Sequence, residues 1–246
     1  MERVTDAPAH VVRLGVLGHG VVGSAFVRLV AERAAEVRTR AGVELRVTRV
    51  AVRDPARHAG LPADVVLADP HAVVADAEVD VVVELMGGLD PARELVATAL
   101  GKGKPVVTAN KALLARHGAD LYAAADAAGT DLLFEAAVCG GIPLIRPLRE
   151  SLRGEPIRRI LGIVNGTTNY VLTEMSERGT EYADALADAQ RLGYAEADPT
   201  ADVEGHDAAA KVAIVASIAF GARIVLADIH AEGITRVTPA DIAIAR

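Results

Sequence analysis

Asp207 and Lys211 stand four residues apart at the head of an apolar run that reads as a helix reaching Phe220. Residues at i and i+4 share a helix face, so a carboxylate and an ammonium point to one place. Of 26 basic residues only Lys102, Lys104, Lys111 and Lys211 are lysine; the rest are arginine. An ammonium can give up a proton where a guanidinium cannot, so a chain that otherwise uses arginine marks its lysines for titratable work. Taken alone, the pair reads first as a helix-stabilising contact worth a few tenths of a kcal/mol. Its surroundings overturn that reading.

The second chemical signal is Gly18-His-Gly-Val-Val-Gly23, which follows the apolar run Val11 to Leu17 and opens a helix. In that setting Gly18 makes the tight turn, Gly20 admits a pyrophosphate to the backbone, and Gly23 lets helix and strand pack closely. The first helical N–H groups, at Val21 and Val22, face the phosphates with the positive end of the helix dipole. The second strand ends Ala51-Val52-Arg53-Asp54. Arg53 suits a 2′-phosphate and Asp54 a ribose 2′-hydroxyl, so NADP is favoured and NAD use stays open. Lys111 follows a later strand, at the carboxyl edge where cofactor and substrate anions bind in such sheets.

The elements that must position these residues alternate strand and helix. Strands are expected at Val11–Leu17, Glu44–Val52, Val79–Leu85 (read as continuously apolar), Pro105–Thr108 and Leu132–Glu135. Helices are expected from Val21 to Arg40 with Gly42 as C-cap, and from Pro91 to Leu100 with Asp90 as N-cap. Two more are expected at 110–117 and 120–128. The class is α/β: a Rossmann-like, doubly wound parallel sheet over residues 1–148. Residues 149–246 read as an α+β substrate and catalytic domain that is cut short. A connecting helix at Arg146–Arg153 leads into it, and it holds a strand at Ile157–Val164, helices at Thr168–Arg178 and Tyr182–Leu192, and the helix bearing Lys211.

Composition closes off several functions. Aromatics are 3% of the chain, so the core must be aliphatic. A net charge of −7 argues against nucleic acid or an anionic membrane as partner. One cysteine, Cys139, excludes an internal disulfide and reads as a small packing residue. No signal peptide or membrane span is visible, which points to a soluble, cytoplasmic protein.

Together these blocks resemble homoserine dehydrogenase. The motif runs Ala189-x-x-x-Gly193-Tyr-Ala-Glu-Ala-Asp198-Pro-x-x-Asp202-Val-x-Gly205-x-Asp207-x-x-x-Lys211. Ala109-Asn-Lys111, Glu135–Pro143 and Asn165-Gly-Thr-Thr-Asn-Tyr170 are similar to further family blocks. The resemblance implies reversible reduction of L-aspartate 4-semialdehyde to L-homoserine with NADPH or NADH. It implies Lys211 as the proton donor to the nascent alkoxide and Asp207 as its partner. Glu196 would bind the substrate's amino group, with Asp202 and Tyr194 close by. Gly166, Thr167 and Lys111 would contact the substrate, and Lys111 the nicotinamide as well. Glu135, Val138, Gly140 and Ile142 match positions where the family holds a monovalent cation, sodium by type, largely through carbonyls. The family is typically a homodimer.

In the family the block ending at Arg246 is followed by more of the catalytic region, and many relatives carry an ACT or kinase domain. The chain is therefore expected to be a shortened form, either active or a silent NADP-binding or interaction module. A dehydrogenase for a different amino-acid aldehyde is the remaining alternative.

Overall fold

Val16, Val50, Val82 and Val106 lie fully buried at the centre of a six-stranded sheet in the computed structural model, which describes residues 10–245. Strands β1 (His10–Leu17), β2 (Val43–Ala51), β3 (Val66–Leu67), β4 (Val81–Glu84), β5 (Val106–Thr108) and β6 (Leu132–Leu133) run in the order β3-β2-β1-β4-β5-β6. Every neighbouring pair is parallel. This is the expected Rossmann-like sheet. Its order reverses between β1 and β4, where open α/β sheets form a ligand crevice at the strands' carboxyl ends. Helices α1 (Val21–Glu32), α2 (Ala34–Ala41), α3 (Pro70–Ala75), α4 (Ala92–Gly101) and α5 (Lys111–Ala128) connect the strands. Leu95, Leu100 and Leu113 are fully buried, each such burial contributing roughly 1.5–3 kcal/mol.

Several local expectations are corrected. The helix expected over 21–40 is two, broken at Arg33 (φ −98°, ψ 6°). Helix α2 buries no residue, so nothing in the core holds it in line with α1; Gly42 is its left-handed C-cap as expected. Asp90 does not cap α4, because Pro91 occupies the cap position with no side-chain bond, after a cis Asp90–Pro91 peptide. The two helices expected over 110–128 are one, with Asn110 as N-cap. Strand β3 and helix α3 have no counterpart among the expected elements. Val81–Glu84 is shorter than the run expected there, and it is not continuously apolar: it ends in Glu84, with Asp80 before it.

The chain divides into two compact units that meet at Ala137/Val138. The sequence division stands later, at 148/149. Helix α7 (Ile145–Arg149), shorter than the connecting helix expected there, belongs to the second unit because it packs on α11 (His206–Ala219). Helix α6 (Ala136–Cys139) lies at the divide.

Among the described residues the second unit is helical: α7, α8 (Gly166–Arg178), α9 (Tyr182–Arg191), α10 (Thr200–Val203), α11 and α12 (Pro239–Ile244). Val171 and Met175 of α8 pack with Ala185 and Ala189 of α9 to make its core, against which Ile234, Val237 and Ile242 rest. The strand expected over Ile157–Val164 does not form. A strand needs a neighbour to satisfy its backbone groups, and all six strands belong to the first unit. Leu161 and Ile163 are left 76% and 79% exposed.

Candidate active site

In the first unit, the backbone N–H of Gly18 donates to the carbonyl of Ala51 at 3.0 Å, tying the glycine loop to the end of β2. Gly18 adopts φ +97°, a left-handed conformation that disfavours side chains. A Cβ on Gly23 would sit 2.1 Å from the Gly18 carbonyl oxygen, so loop and helix meet with no room for a methyl group. Around Gly20 there is open space. Helix α1 starts at Val21 with no capping side chain, which leaves its first N–H groups for another acceptor. The side chains of Val21 and Val22 are 89% and 58% exposed, and the backbone is what these residues offer a phosphate. Uncapped donors, an open glycine and a close-packed glycine fit a dinucleotide pyrophosphate.

At the adjoining strand ends, the loop after β4 is held by a carboxylate that the sequence reading passed over. Glu84 is fully buried. Its Oε1 accepts from the backbone N–H of Met86 at 2.9 Å and of Gly87 at 3.2 Å, and its Oε2 from Thr108 Oγ1 at 2.5 Å. Three donors offset the cost of burying the group. Thr108 Oγ1 in turn accepts from Asn110 N–H at 2.9 Å; Asn110 Nδ2 donates to the Gly88 carbonyl at 2.7 Å. Asn110 Oδ1 caps α5 by accepting from Leu113 N–H at 3.0 Å. Lys111, the first residue of α5, is half-buried beside this cluster, and Arg53 is exposed at the end of β2. A charge inside an apolar strand was the available signal for Glu84, since a buried carboxyl requires partners.

In the second unit, four predicted residues meet around one that was not singled out. Asn165 is the N-cap of α8, its Oδ1 accepting from Thr168 N–H at 2.8 Å. Its Nδ2 donates to Asp202 Oδ1 at 2.7 Å and to Asp207 Oδ2 at 3.1 Å. Thr167 Oγ1 lies 2.9 Å from Asp202 Oδ2 and 2.7 Å from the Tyr194 carbonyl; its single proton serves one of them at a time. Lys211 Nζ is 2.8 Å from Asp207 Oδ2 and donates to the Val164 carbonyl at 2.6 Å. Both side chains are largely buried, 17% and 10% exposed. An ammonium has three donors, so one N–H of Lys211 is uncommitted among the described residues. A cap residue followed by Gly-Thr-Thr was the sequence signal for Asn165.

Alongside lies a cleft of about 410 Å³ lined by Gly166, Thr167, Asn169, Tyr170, Thr173 and Tyr194. The rings of Tyr170 and Tyr194 stand 5.0 Å apart, tilted at 41°. Glu196 does not join the cluster. Its carboxylate is exposed, and it is its backbone carbonyl that accepts from Gln190 Nε2 at 3.1 Å. Of the four residues expected at a cation, Glu135 precedes α6, Val138 lies within it, Gly140 follows in a left-handed turn, and Ile142 is exposed. Among the described residues no group of three or more His, Cys, Asp or Glu could hold a metal. The donors here would have to be carbonyl oxygens beside one carboxylate, a set that suits a hard monovalent ion.

Residues 18–135 match the family model for the NAD-binding domain of homoserine dehydrogenase, and residues 143–246 match the model for homoserine dehydrogenase itself. The chain belongs to the homoserine dehydrogenase family. It is 53% identical to the Mycobacterium tuberculosis homoserine dehydrogenase, over 94% of this chain and 52% of that one. The crystal structure of a homoserine dehydrogenase from Thiobacillus denitrificans superposes with a TM-score of 0.88 at 47% identity, covering 96% of this chain and 55% of the other. A hyperthermophilic archaeal homoserine dehydrogenase in complex with NADPH gives 0.78 at 30% identity, covering 92% and 75%. The chain spans about half the length of the curated relatives it matches. Among the described residues no helix is long and apolar enough to cross a membrane.

Proposed function

We propose that this member of the homoserine dehydrogenase family interconverts L-aspartate 4-semialdehyde and L-homoserine with a nicotinamide cofactor, NADP in preference to NAD, in the cytoplasm and as a homodimer. The cofactor, when bound, supplies hydride to the aldehyde carbon. What this chain adds is the proton. As the C=O π bond breaks and negative charge gathers on oxygen, the uncommitted N–H of Lys211 transfers its proton there and an O–H bond forms. In the oxidation direction the same amine takes the proton back. Asp207 and the Val164 carbonyl fix the ammonium's position (2.8 and 2.6 Å), so the amine is held by hydrogen bonds before substrate arrives. That doubly anchored, largely buried amine is the observation that carries the reading.

Glu196 offers its exposed carboxylate to the substrate ammonium. Asp202 orients Asn165 and Thr167, while Tyr194 and Gly166 border the cleft. Gly18, Gly20, Val21, Val22 and Gly23 would hold the pyrophosphate, Arg53 the 2′-phosphate, and Lys111 an anionic group of cofactor or substrate. Glu135, Val138, Gly140 and Ile142 would take a sodium-like ion.

The test is semialdehyde-dependent NADPH oxidation by the purified chain with Na⁺ present. Lys211→Ala should lower kcat by about 10²–10⁴-fold, and Lys211→Arg should not restore it, because a guanidinium does not release its proton. Parental turnover in Lys211→Ala, or no turnover in the parent, would remove Lys211 from this role.

A further inference from the structure

His19, inside the glycine loop, and His58, at the end of the short 3-10 turn Pro55–His58 after β2, place their Nδ1 atoms 3.1 Å apart. Their rings meet edge-on with centroids separated by 5.0 Å. The two segments adjoin because β1 and β2 pair up to Leu17 and Ala51, and Gly18 is bonded to Ala51. The histidines thus stand at the carboxyl end of β2, where dinucleotide folds read the adenosine ribose. One oxygen of the carboxylate that would choose an unphosphorylated ribose is engaged: Asp54 Oδ1 accepts from Ala56 N–H at 3.1 Å, capping the same turn.

A contact between two Nδ1 atoms needs one to donate and the other to accept. In the neutral pair one Nε2 carries no hydrogen. A single added proton goes there without breaking the Nδ1–H···Nδ1 bond, and both Nε2 atoms then become donors on a cation. A second proton would have to sit on the accepting Nδ1 and would break the contact. The pair therefore holds one charge readily and two poorly.

We propose that His19 and His58 act together as a proton-linked selector for the 2′-phosphate of the cofactor, coupling proton uptake to the binding of NADP and not to that of NAD. This rests on the reading of the first unit as the nucleotide site. The neighbouring charges are consistent with it. Arg53 and Arg57, both exposed, stand before and within the turn and bring guanidinium charge to it. The first turn of α1, Val21 to Ser24, contributes no charged group. From the β4 side Glu84 is fully bonded, and past β3 Asp69 is occupied capping α3. Burial, and then the neighbouring His58, hold His19 below its ordinary 6.5, which favours its neutral form in the ligand-free loop. An arriving phosphate raises it. Affinity for NADP relative to NAD then falls as pH rises, from the free pair's value up to the bound one. Ionisation of the phosphate itself, near about pH 6, works in the opposite direction, so the sign separates protein from ligand.

The experiment titrates the purified chain with NADP⁺ and NAD⁺ by calorimetry from about pH 6 to pH 8.5, in two buffers of different ionisation enthalpy. The NADP⁺/NAD⁺ affinity ratio is expected to drop about tenfold across that range, as follows if the bound phosphate makes the pair hold its proton about tenfold more tightly. Uptake with NADP⁺ should peak at about half a proton, midway between the free and bound values, with none taken up with NAD⁺. In His58→Asn, and independently in His58→Gln, the ratio should flatten and the uptake vanish. A ratio that is flat or rises with pH in the parent, or uptake that persists in both variants, overturns the proposal while leaving the nucleotide site intact. If neither dinucleotide binds at any pH, the site reading itself falls and this proposal falls with it.

Discussion

In the first unit the candidate site is made of peptide groups: the Gly18 turn, the open Gly20, and the uncapped N–H groups at the start of α1. In the second it is made of side chains, with Asn165 bridging Asp202 and Asp207, and Asp207 holding Lys211. The two constructions fail differently. A site of backbone groups tolerates many side chains but no intrusion into the path of the chain. A site of side chains tolerates little change of a single atom, while the helices that carry it remain as they were.

The most severe test of that contrast is Gly23→Ala. Its methyl would lie 2.1 Å from a backbone oxygen, so the loop must shift; loss of dinucleotide binding and about 3 kcal/mol or more of stability are expected, read by calorimetry and urea unfolding. Val21→Ser, at a side chain in open solvent, should stay within about 0.5 kcal/mol in the same unfolding assay. A mild Gly23→Ala would break the backbone description.

Next comes Glu84→Gln. The new amide keeps one oxygen, which can still accept from Met86 and Gly87, and turns its NH2 toward the Thr108 hydroxyl that now donates to the carboxylate. A loss of about 1–3 kcal/mol follows from leaving a buried donor unpaired. Unfolding curves would measure it, and parental stability would show that the carboxylate does not organise the loop.

Asp202→Asn is gentler. It removes one acceptor from Asn165 and Thr167, and about tenfold in kcat/KM, or about 1.4 kcal/mol, is expected. Cofactor affinity measured alongside separates the two units.

The smallest effect concerns the ion pair at the far end of β4. Arg13 donates to Asp80 and holds its carboxyl down to about 2 from 3.8. The stability this contributes is present above the ordinary carboxylate value and is lost as pH falls toward about 2. The pair is partly exposed, so less than about 1 kcal/mol is expected. Asp80→Asn should flatten the acid limb of the stability–pH curve by that amount.

The same contrast explains what was legible in the sequence. Gly18, Gly20 and Gly23 were legible because a backbone site forces glycine at fixed spacing, and the alternation of strand and helix carried the parallel sheet with it. The site in the second unit was legible only through a resemblance of motifs. Spacing places Asp207 beside Lys211 on one helix, but not Asn165, Thr167 or the Val164 carbonyl, which arrive from distant segments. Glu84 was missed because a charge inside an aliphatic run identifies itself only when its partners are known, and Asn110, quoted as part of a motif block, was given no role for the same reason. The strand expected at Ile157–Val164 failed for the reason that makes strands hard to predict singly: alternation supplies a face, and pairing has to come from elsewhere.

One grip on Lys211 belongs to the peptide of Val164 rather than to a side chain. Exchanging the residue at 164 leaves that oxygen where it is; loosening the amine requires moving the main chain. The segment leading to it carries the bare Leu161 and Ile163. Whatever seats or tugs that ribbon therefore sets where the amine points, even when it never touches the lysine.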